Sequence, residues 1–193
     1  MTSREADVYQ TLGFLTVVED AKQGIFGGYL VLNRAGRPLE FHCTAPVKAN
    51  RAQEILYGRT LRPYLYGEQI GRTLLDQVKK SPEVILTDHE AMLAAAEHVS
   101  TPIALLQRRD DGGNADTSEA APGQRVWRID GPESSHSHLR YLDLGPHRVA
   151  LEAQSAATEK IADRLQTLSG TLDLAEPFER IRAAIDEARR GGQ

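Results

Sequence analysis

The order of the predicted elements constrains the fold of this chain more than any single motif does. Residues 13 to 47 predict three strands joined by short connections, and residues 50 to 107 then alternate helix, strand, helix and strand. Strands joined by connections this short must be antiparallel, whereas a strand–helix–strand unit places its two strands parallel. The sequence therefore predicts an α/β fold with a mixed sheet that opens with a three-stranded antiparallel meander.

Apolar stretches separated by turn residues mark the strands of the meander. These stretches are Phe14–Val18, Tyr29–Leu32 and Leu39–Val47. The third stretch alternates, so that Leu39, Phe41 and Cys43 share one face, which we expect to be buried. Because Cys43 is the only cysteine, an intrachain disulfide is impossible.

Cap and stop residues mark the alternating part that follows. Asn50 with Gln53 predicts a helix start, and Thr87 with Glu90 fits a capping box at the start of a later helix. The predicted elements between residues 50 and 107 are helices from Asn50, from about Gly67 to Lys80 and from Thr87, with buried strands at Val84–Leu86 and Ile103–Leu106. The two strands are expected to pair in parallel.

The second half of the chain predicts a loop, two strands and two helices. Residues 108–125 are almost free of apolar side chains and predict a mobile loop. Strands are expected at Val126–Ile129 and Leu139–Leu144, and two helices are expected from about Gln154 onward, the last with Phe178, Ile181 and Ile185 on its inner face. We therefore expect an α/β domain over residues 1–152 and a C-terminal helical extension, residues 153–193, packed on it.

Composition and charge exclude few classes of protein. The net charge of −4 gives no global electrostatic case for nucleic acid. The N-terminal residues lack the apolar core of a signal peptide, and no apolar run approaches the roughly 18 residues that a membrane span needs. We expect a cytoplasmic protein with no membrane partner, and the pattern leaves a homo-oligomer open.

The order of elements resembles that of the ribonuclease H-like superfamily. The resemblance covers residues 13–107 and is carried by topology and by three segments: Leu15 to Asp20 as a strand bearing an acid, Gly27 to Leu32 as a second strand led by glycines, and Gly36 to Phe41 as the hairpin into the third strand. Active members of that superfamily cleave phosphodiesters with two metal ions held by acids. The resemblance therefore implies a two-metal nuclease, or a relative that has lost activity.

Carried onto this sequence, the resemblance implies specific acids. Asp20 would be the acid of the first strand, Glu54 or Glu68 that of a helix, and Asp88 the acid that follows the fourth strand. Asp20 and Asp88 would ligate Mg²⁺ or Mn²⁺, which take oxygen ligands. The same acids also suit turns and helix starts, where carboxylates stabilise free N–H groups.

A basic and aromatic segment offers a different function. Residues 48–80 hold seven basic residues and three acids, a net charge of +4. Arginines interleaved with tyrosines are typical of surfaces that contact nucleic acids or proteins. The favoured hypothesis is a small intracellular accessory protein without a cofactor, which contacts a protein or a nucleic acid through this segment. The candidate contact residues are Arg51, Arg59, Arg62, Tyr64 and Tyr66.

Three histidines remain without an assigned role. His136, His138 and His147 lie close together in the sequence and are capable of binding a transition metal. Exposed histidines in a polar loop account for the same pattern, so both interpretations stand.

Overall fold

Seven strands form a single sheet at the centre of the structure, a computed structural model that describes residues 11–109, 139–152, 157–170 and 172–191. The strands are β1 Thr11–Asp20, β2 Gly24–Asn33, β3 Pro38–Cys43, β4 Val84–Thr87, β5 Ile103–Arg108, β6 Leu139–Leu144 and β7 His147–Glu152. Their order across the sheet is β3-β2-β1-β4-β5-β7-β6. The predicted α/β class and mixed sheet are confirmed.

Pairing directions follow from the lengths of the connections. β1, β2 and β3 form the antiparallel meander, because only short turns join them. β4 pairs parallel with β1, and β5 pairs parallel with β4, since helical segments intervene. β7 and β6 then extend the sheet antiparallel beyond β5. The sequence did not predict β7, although Gly145, with a φ of 60°, marks the turn between β6 and β7.

Helices cover both faces of the sheet. Helix α1 spans Arg51–Tyr57. A 3₁₀ turn, Gly58–Thr60, links it to three contiguous segments, Leu61–Pro63, Tyr64–Gly71 and Arg72–Leu75, which together are called α2. The middle segment of α2 has π-helical hydrogen bonding. A 3₁₀ helix, Glu90–His98, follows β4, and the C-terminal helices are α3 Ala157–Ser169 and α4 Glu176–Gly191.

Two cores result, one on each face of the sheet, because successive side chains of a strand point to opposite faces. Phe14 on β1 packs with α3 and α4, and its ring meets that of Phe178 edge to face at 5.5 Å. Leu15, the next residue, packs on the other face with α2 and the 3₁₀ helix. Phe178 and its neighbours Ile181 and Ile185 are buried, so α4 lies against the sheet by its predicted inner stripe.

Two predicted helix boundaries were wrong. The helix expected from Gly67 to Lys80 begins earlier and ends at Leu75, and the backbone amides of Lys79 and Lys80 instead donate to the carboxylate of Glu40 at 3.0 and 3.2 Å. The capping box expected at Thr87 does not form. The cap of the 3₁₀ helix is His89, which has no side-chain capping bond.

The burial expected for β3 was also wrong. Leu39, Phe41 and Cys43 do share a face, but all three are exposed because β3 is an edge strand. An edge strand has a neighbour on one side only, and side chains on it lie at the rim of the core.

Several expectations fall outside the described residues: nearly all of the mobile loop over 108–125, the strand at Val126–Ile129, and His136 and His138. The division into residues 1–152 and 153–193 stays a prediction. Within the residues that the structure describes, no helix combines the length and the apolar content that a membrane crossing requires.

Candidate functional site

The carboxyl end of β4 lies beside the middle of β1, and the residues there form the candidate site. The parallel register pairs Leu15 with Thr87, so Thr16 lies beside Asp88, the residue that directly follows β4. Thr16 is fully buried, and its hydroxyl donates to Oδ1 of Asp88 at 2.6 Å. The position on β1 that contacts Asp88 is therefore a neutral threonine.

An arginine of the last helix, Arg182 on α4, completes this cluster. Arg182 follows the buried Ile181 on α4, and its Nη2 donates to Oδ2 of Asp88. Its Nη1 also donates to Glu179 at 2.8 Å. The side chain of Asp88 is 19% exposed and that of Arg182 is 33% exposed, so this ion pair is largely screened from water. Both oxygens of Asp88 are thus occupied by side chains of the chain itself.

A glycine allows α4 to approach this closely. Gly28 on β2 pairs with Thr16, and a Cβ on it would collide with the side chain of Ile181 and lie 3.0 Å from that of Ile185. Its missing side chain lets the helix rest on the sheet one residue away from Arg182. Packing in the core therefore places the guanidinium on Asp88.

Asp20 lies in a separate cluster further along β1. It is four residues beyond Thr16, about 13 Å at the usual rise of a strand. Its Oδ1 accepts from the amides of Lys22 and Gln23 at 2.8 and 2.6 Å, and its Oδ2 accepts from Arg189. These amides, followed by Arg189, hold the pKa of Asp20 below its ordinary value. Asp20 closes the β1–β2 turn and tethers α4.

Asp20, Glu54 and Asp88 are not brought together, and each pairs with a different arginine. Asp20 pairs with Arg189, Asp88 with Arg182, and Glu54, exposed on α1, with Arg51 at 2.9 Å. Arg182 and Arg189 are seven residues apart, about 10 Å along a helix, so α4 supplies the partners of both Asp88 and Asp20. Glu68, the other candidate, is exposed on α2.

The residues around Asp88 do not fit a pair of Mg²⁺ or Mn²⁺ ions. Two divalent ions need several carboxylates, whereas Asp88 is accompanied by a hydroxyl and a guanidinium. Across the described ranges, no three His, Cys, Asp or Glu side chains lie close enough together to hold a metal ion.

On the opposite face of the sheet, the side chain of Tyr66 contacts only other residues of this chain among those that the structure describes. It is buried, its hydroxyl donates to Glu19, and Arg62 lies 3.6 Å from the same carboxylate. Burial and the neighbouring Glu19 raise the pKa of Tyr66. The ring of His89 meets the Tyr66 ring edge-on at 5.9 Å. Tyr66 is therefore not part of an exposed surface, contrary to the sequence-based expectation.

The rest of the basic and aromatic segment is exposed to different degrees. Arg51, Arg59 and Arg62 are exposed, whereas Tyr64 is half-buried and stacks on Tyr57 with ring centroids 4.1 Å apart. Two apolar side chains beside them were not predicted to be exposed from the sequence. Ile55 is 66% exposed and Leu56 is 81% exposed. Their spacing from Ala52 at i+3 and i+4 was the signal that could have revealed them.

His147 lies beside a surface cavity of about 360 Å³ formed by the β6–β7 turn and the segment before α4. Its Nε2 is 3.5 Å from Oδ1 of Asp173. This pair gives His147 a structural partner, and the cavity lies at β7, two strands beyond β4 in the order of the sheet.

No protein-family model matches the chain, and no curated protein matches it. Among solved structures, human ENDOV is similar at 13% identity over 100% of this chain and 91% of that chain, with a TM-score of 0.48. Endonuclease V of Ciona intestinalis, solved with a DNA that contains inosine, is similar at 16% identity over 50% and 45% of the two chains, with a TM-score of 0.32. Argonaute of Marinitoga piezophila is similar at 10% identity over 80% and 24%, with a TM-score of 0.29. At these scores the similarities carry no conclusion about activity.

Proposed function

We propose that this chain is a non-catalytic relative of the ribonuclease H-like nucleases and acts by binding a macromolecular partner. The order of its first five strands and intervening helices is the one on which the resemblance rests. A single observation carries the loss of catalysis: the guanidinium of Arg182 lies on Asp88, beside the neutral Thr16. Asp88 is the position at which the resemblance implies a metal-binding acid.

Electrostatics supports this proposal. Two unit charges 4 Å apart interact by about 4 kcal/mol at an effective dielectric constant of 20, so a divalent cation beside a guanidinium is opposed by about 8 kcal/mol. A nuclease site needs the reverse balance, with several carboxylates around each ion. Thr16 supplies no negative charge. The carboxylate that Thr16 contacts belongs to Asp88, and Arg182 neutralises it.

The remaining alternative is an active two-metal nuclease that uses Asp20, Glu54 and Asp88. That alternative requires Arg189, Arg51 and Arg182 to leave their carboxylates. Each acid would also have to move, because Asp20 is held by the β1–β2 turn and Glu54 lies on the exposed helix α1. The non-catalytic proposal requires no rearrangement.

Cleavage assays test the proposal directly. The purified chain is incubated with single-stranded and duplex RNA and DNA, including a DNA that contains inosine, in millimolar Mg²⁺ or Mn²⁺. We expect the parent and an Asp88→Asn variant to be equally inactive. Metal-dependent cleavage by the parent that Asp88→Asn abolishes would overturn the proposal.

The same nucleic acids, used as binding probes at increasing salt, test the class of partner. Affinity that falls steeply with salt concentration is expected of phosphate contacts, whereas a protein partner gives a shallower dependence. At this level of the proposal, protein and nucleic acid both remain partners to test.

A further inference from the structure

Helix α1 presents its apolar side chains to solvent. None of its residues is buried, and only Gln53 and Tyr57 are partly covered by the rest of the chain. The outward line is formed by Ala52, Ile55 and Leu56, all exposed and spaced at i, i+3 and i+4, and the exposed Arg59 follows in the 3₁₀ turn after the helix. A surface helix normally turns such a line toward its own core. Within the residues that the structure describes, this line packs against no other part of the chain.

The helix is held in place without using this line. Asn50 and Gln53 form a complete capping box, with hydrogen bonds of 2.8 and 3.0 Å between side chain and backbone in both directions. At the other end, the stack of Tyr57 on Tyr64 fixes α1 to α2. Seven residues are too few for a stable helix in isolation, so these two anchors preorganise α1. Preorganisation lowers the entropy lost on binding.

Charge around α1 is opposite to that of the rest of the chain. From Lys48 to Arg62 there are four basic residues and one acid, Glu54, a net charge of +3. The net charge of the whole chain is −4, so the net charge of the residues outside this segment is −7. Arg51 and Arg59 are exposed on the helix and at its end. A partner that complements this surface therefore carries acidic groups.

We propose that α1 docks into an apolar groove, rimmed by carboxylates, on a partner protein; this inference rests on the proposed non-catalytic binding function. Amphipathic helices whose apolar side chains are spaced at i, i+3 and i+4 bind protein grooves in this way. The groove would bury Ile55 and Leu56, and its acidic rim would pair with Arg59, since Arg51 already pairs with Glu54.

Other occupants fit the surface less well. Ile55 and Leu56 have no hydrogen-bonding groups for bases or phosphates, and Tyr57 and Tyr64 stack on each other, so these faces are not open to bases. A second copy related by a twofold axis would place the same basic surface against itself.

Site-specific photocrosslinking tests the occupant. The chain is expressed in its native host with p-benzoylphenylalanine replacing Leu56, and in a control with the same group replacing Glu187, an exposed residue of α4. We expect a protein crosslink at position 56 only, with the crosslinked segment, identified by mass spectrometry, apolar and flanked by Asp and Glu. The added substitution Arg59→Glu should abolish it.

Binding to the purified crosslinked partner then measures the contact. We expect Leu56→Ala to weaken affinity at least about tenfold, as for a central interface anchor, and the matched control Glu187→Ala to leave it unchanged. Crosslinks from position 56 to nucleic acid, to lipid, to a second copy or within the chain would overturn the inference. A crosslinking signal at position 56 no greater than that at position 187 would also overturn it. Crosslinks confined to the Glu187 position would overturn this surface alone, whereas metal-dependent cleavage would overturn the proposed function.

Discussion

Breaking the Asp88–Arg182 ion pair by Arg182→Ala should destabilise the fold by about 2 kcal/mol. Hydrogen bonds to charged groups contribute about 1.5–3 kcal/mol, and orphaning a fully buried charge costs about 3–5 kcal/mol. The side chain of Asp88 is 19% exposed and still accepts a hydrogen bond from Thr16 in the variant. The loss of folding free energy should therefore lie in the range for hydrogen bonds to charged groups, not in that for a fully buried charge. In a protein of this size, about 2 kcal/mol lowers the melting temperature by about 4–8 °C.

Thermal and urea denaturation of a double-mutant cycle measure this effect. The cycle combines Arg182→Ala with Asp88→Asn, and a coupling energy of about 1–2 kcal/mol is expected between residues in direct contact. Arg190→Ala, an exposed arginine of the same helix, is the matched control and should change stability by less than about 0.5 kcal/mol. If Arg182→Ala behaves like Arg190→Ala and the coupling is zero, the ion pair does not form and the reasoning fails.

Three further predictions concern the packing of α4 against the sheet. Gly28→Ala should destabilise the fold by about 1–3 kcal/mol through overpacking against α4, whereas Gly191→Ala, with nothing near its Cβ, should be neutral; chemical denaturation distinguishes the two. Removal of residues 171–193 should uncover the core face and increase binding of an apolar dye, and an unchanged signal would show that α4 does not cover that face. The pKa of Asp20 is depressed in the folded chain, so its contribution to stability is present above the ordinary value of 3.8 and is lost as the pH falls further. The stability of the parent relative to Asp20→Asn should therefore shrink only below about pH 4.

Patterns of alternation and caps were sufficient to predict the first five strands and the start of α1. Strand identity followed from apolar runs, and the capping box of Asn50 and Gln53 is a local interaction that the sequence encodes directly. The end of α2 at Leu75 and the start of the 3₁₀ helix at Glu90 were not predicted, because tertiary contacts set these two boundaries. Gly67 packs against Ala94, where a Cβ would lie 2.5 Å from that of Ala94, and this contact couples α2 to the 3₁₀ helix.

The candidate site was harder to predict because its decisive members are distant in the sequence. Asp88 and Asp20 were both identified, but the arginines that bind them lie 94 and 169 residues away in α4. The sequence indicated Gly28 only as one of the glycines that lead β2, whereas in the structure it provides the space in which α4 rests on β2. Ile55 and Leu56 were overlooked because an apolar pair in a helix is usually buried.

Manganese binding, followed by electron paramagnetic resonance with and without a short DNA oligonucleotide, tests the central claim most directly. The claim is that Arg182 occupies Asp88 in place of a metal ion. The parent is predicted to bind no Mn²⁺ below millimolar concentration. A Thr16→Asp, Arg182→Ala variant, which adds a carboxylate and removes the guanidinium, is predicted to gain Mn²⁺ affinity. Tight Mn²⁺ binding by the parent that is lost on Asp88→Asn would contradict the account.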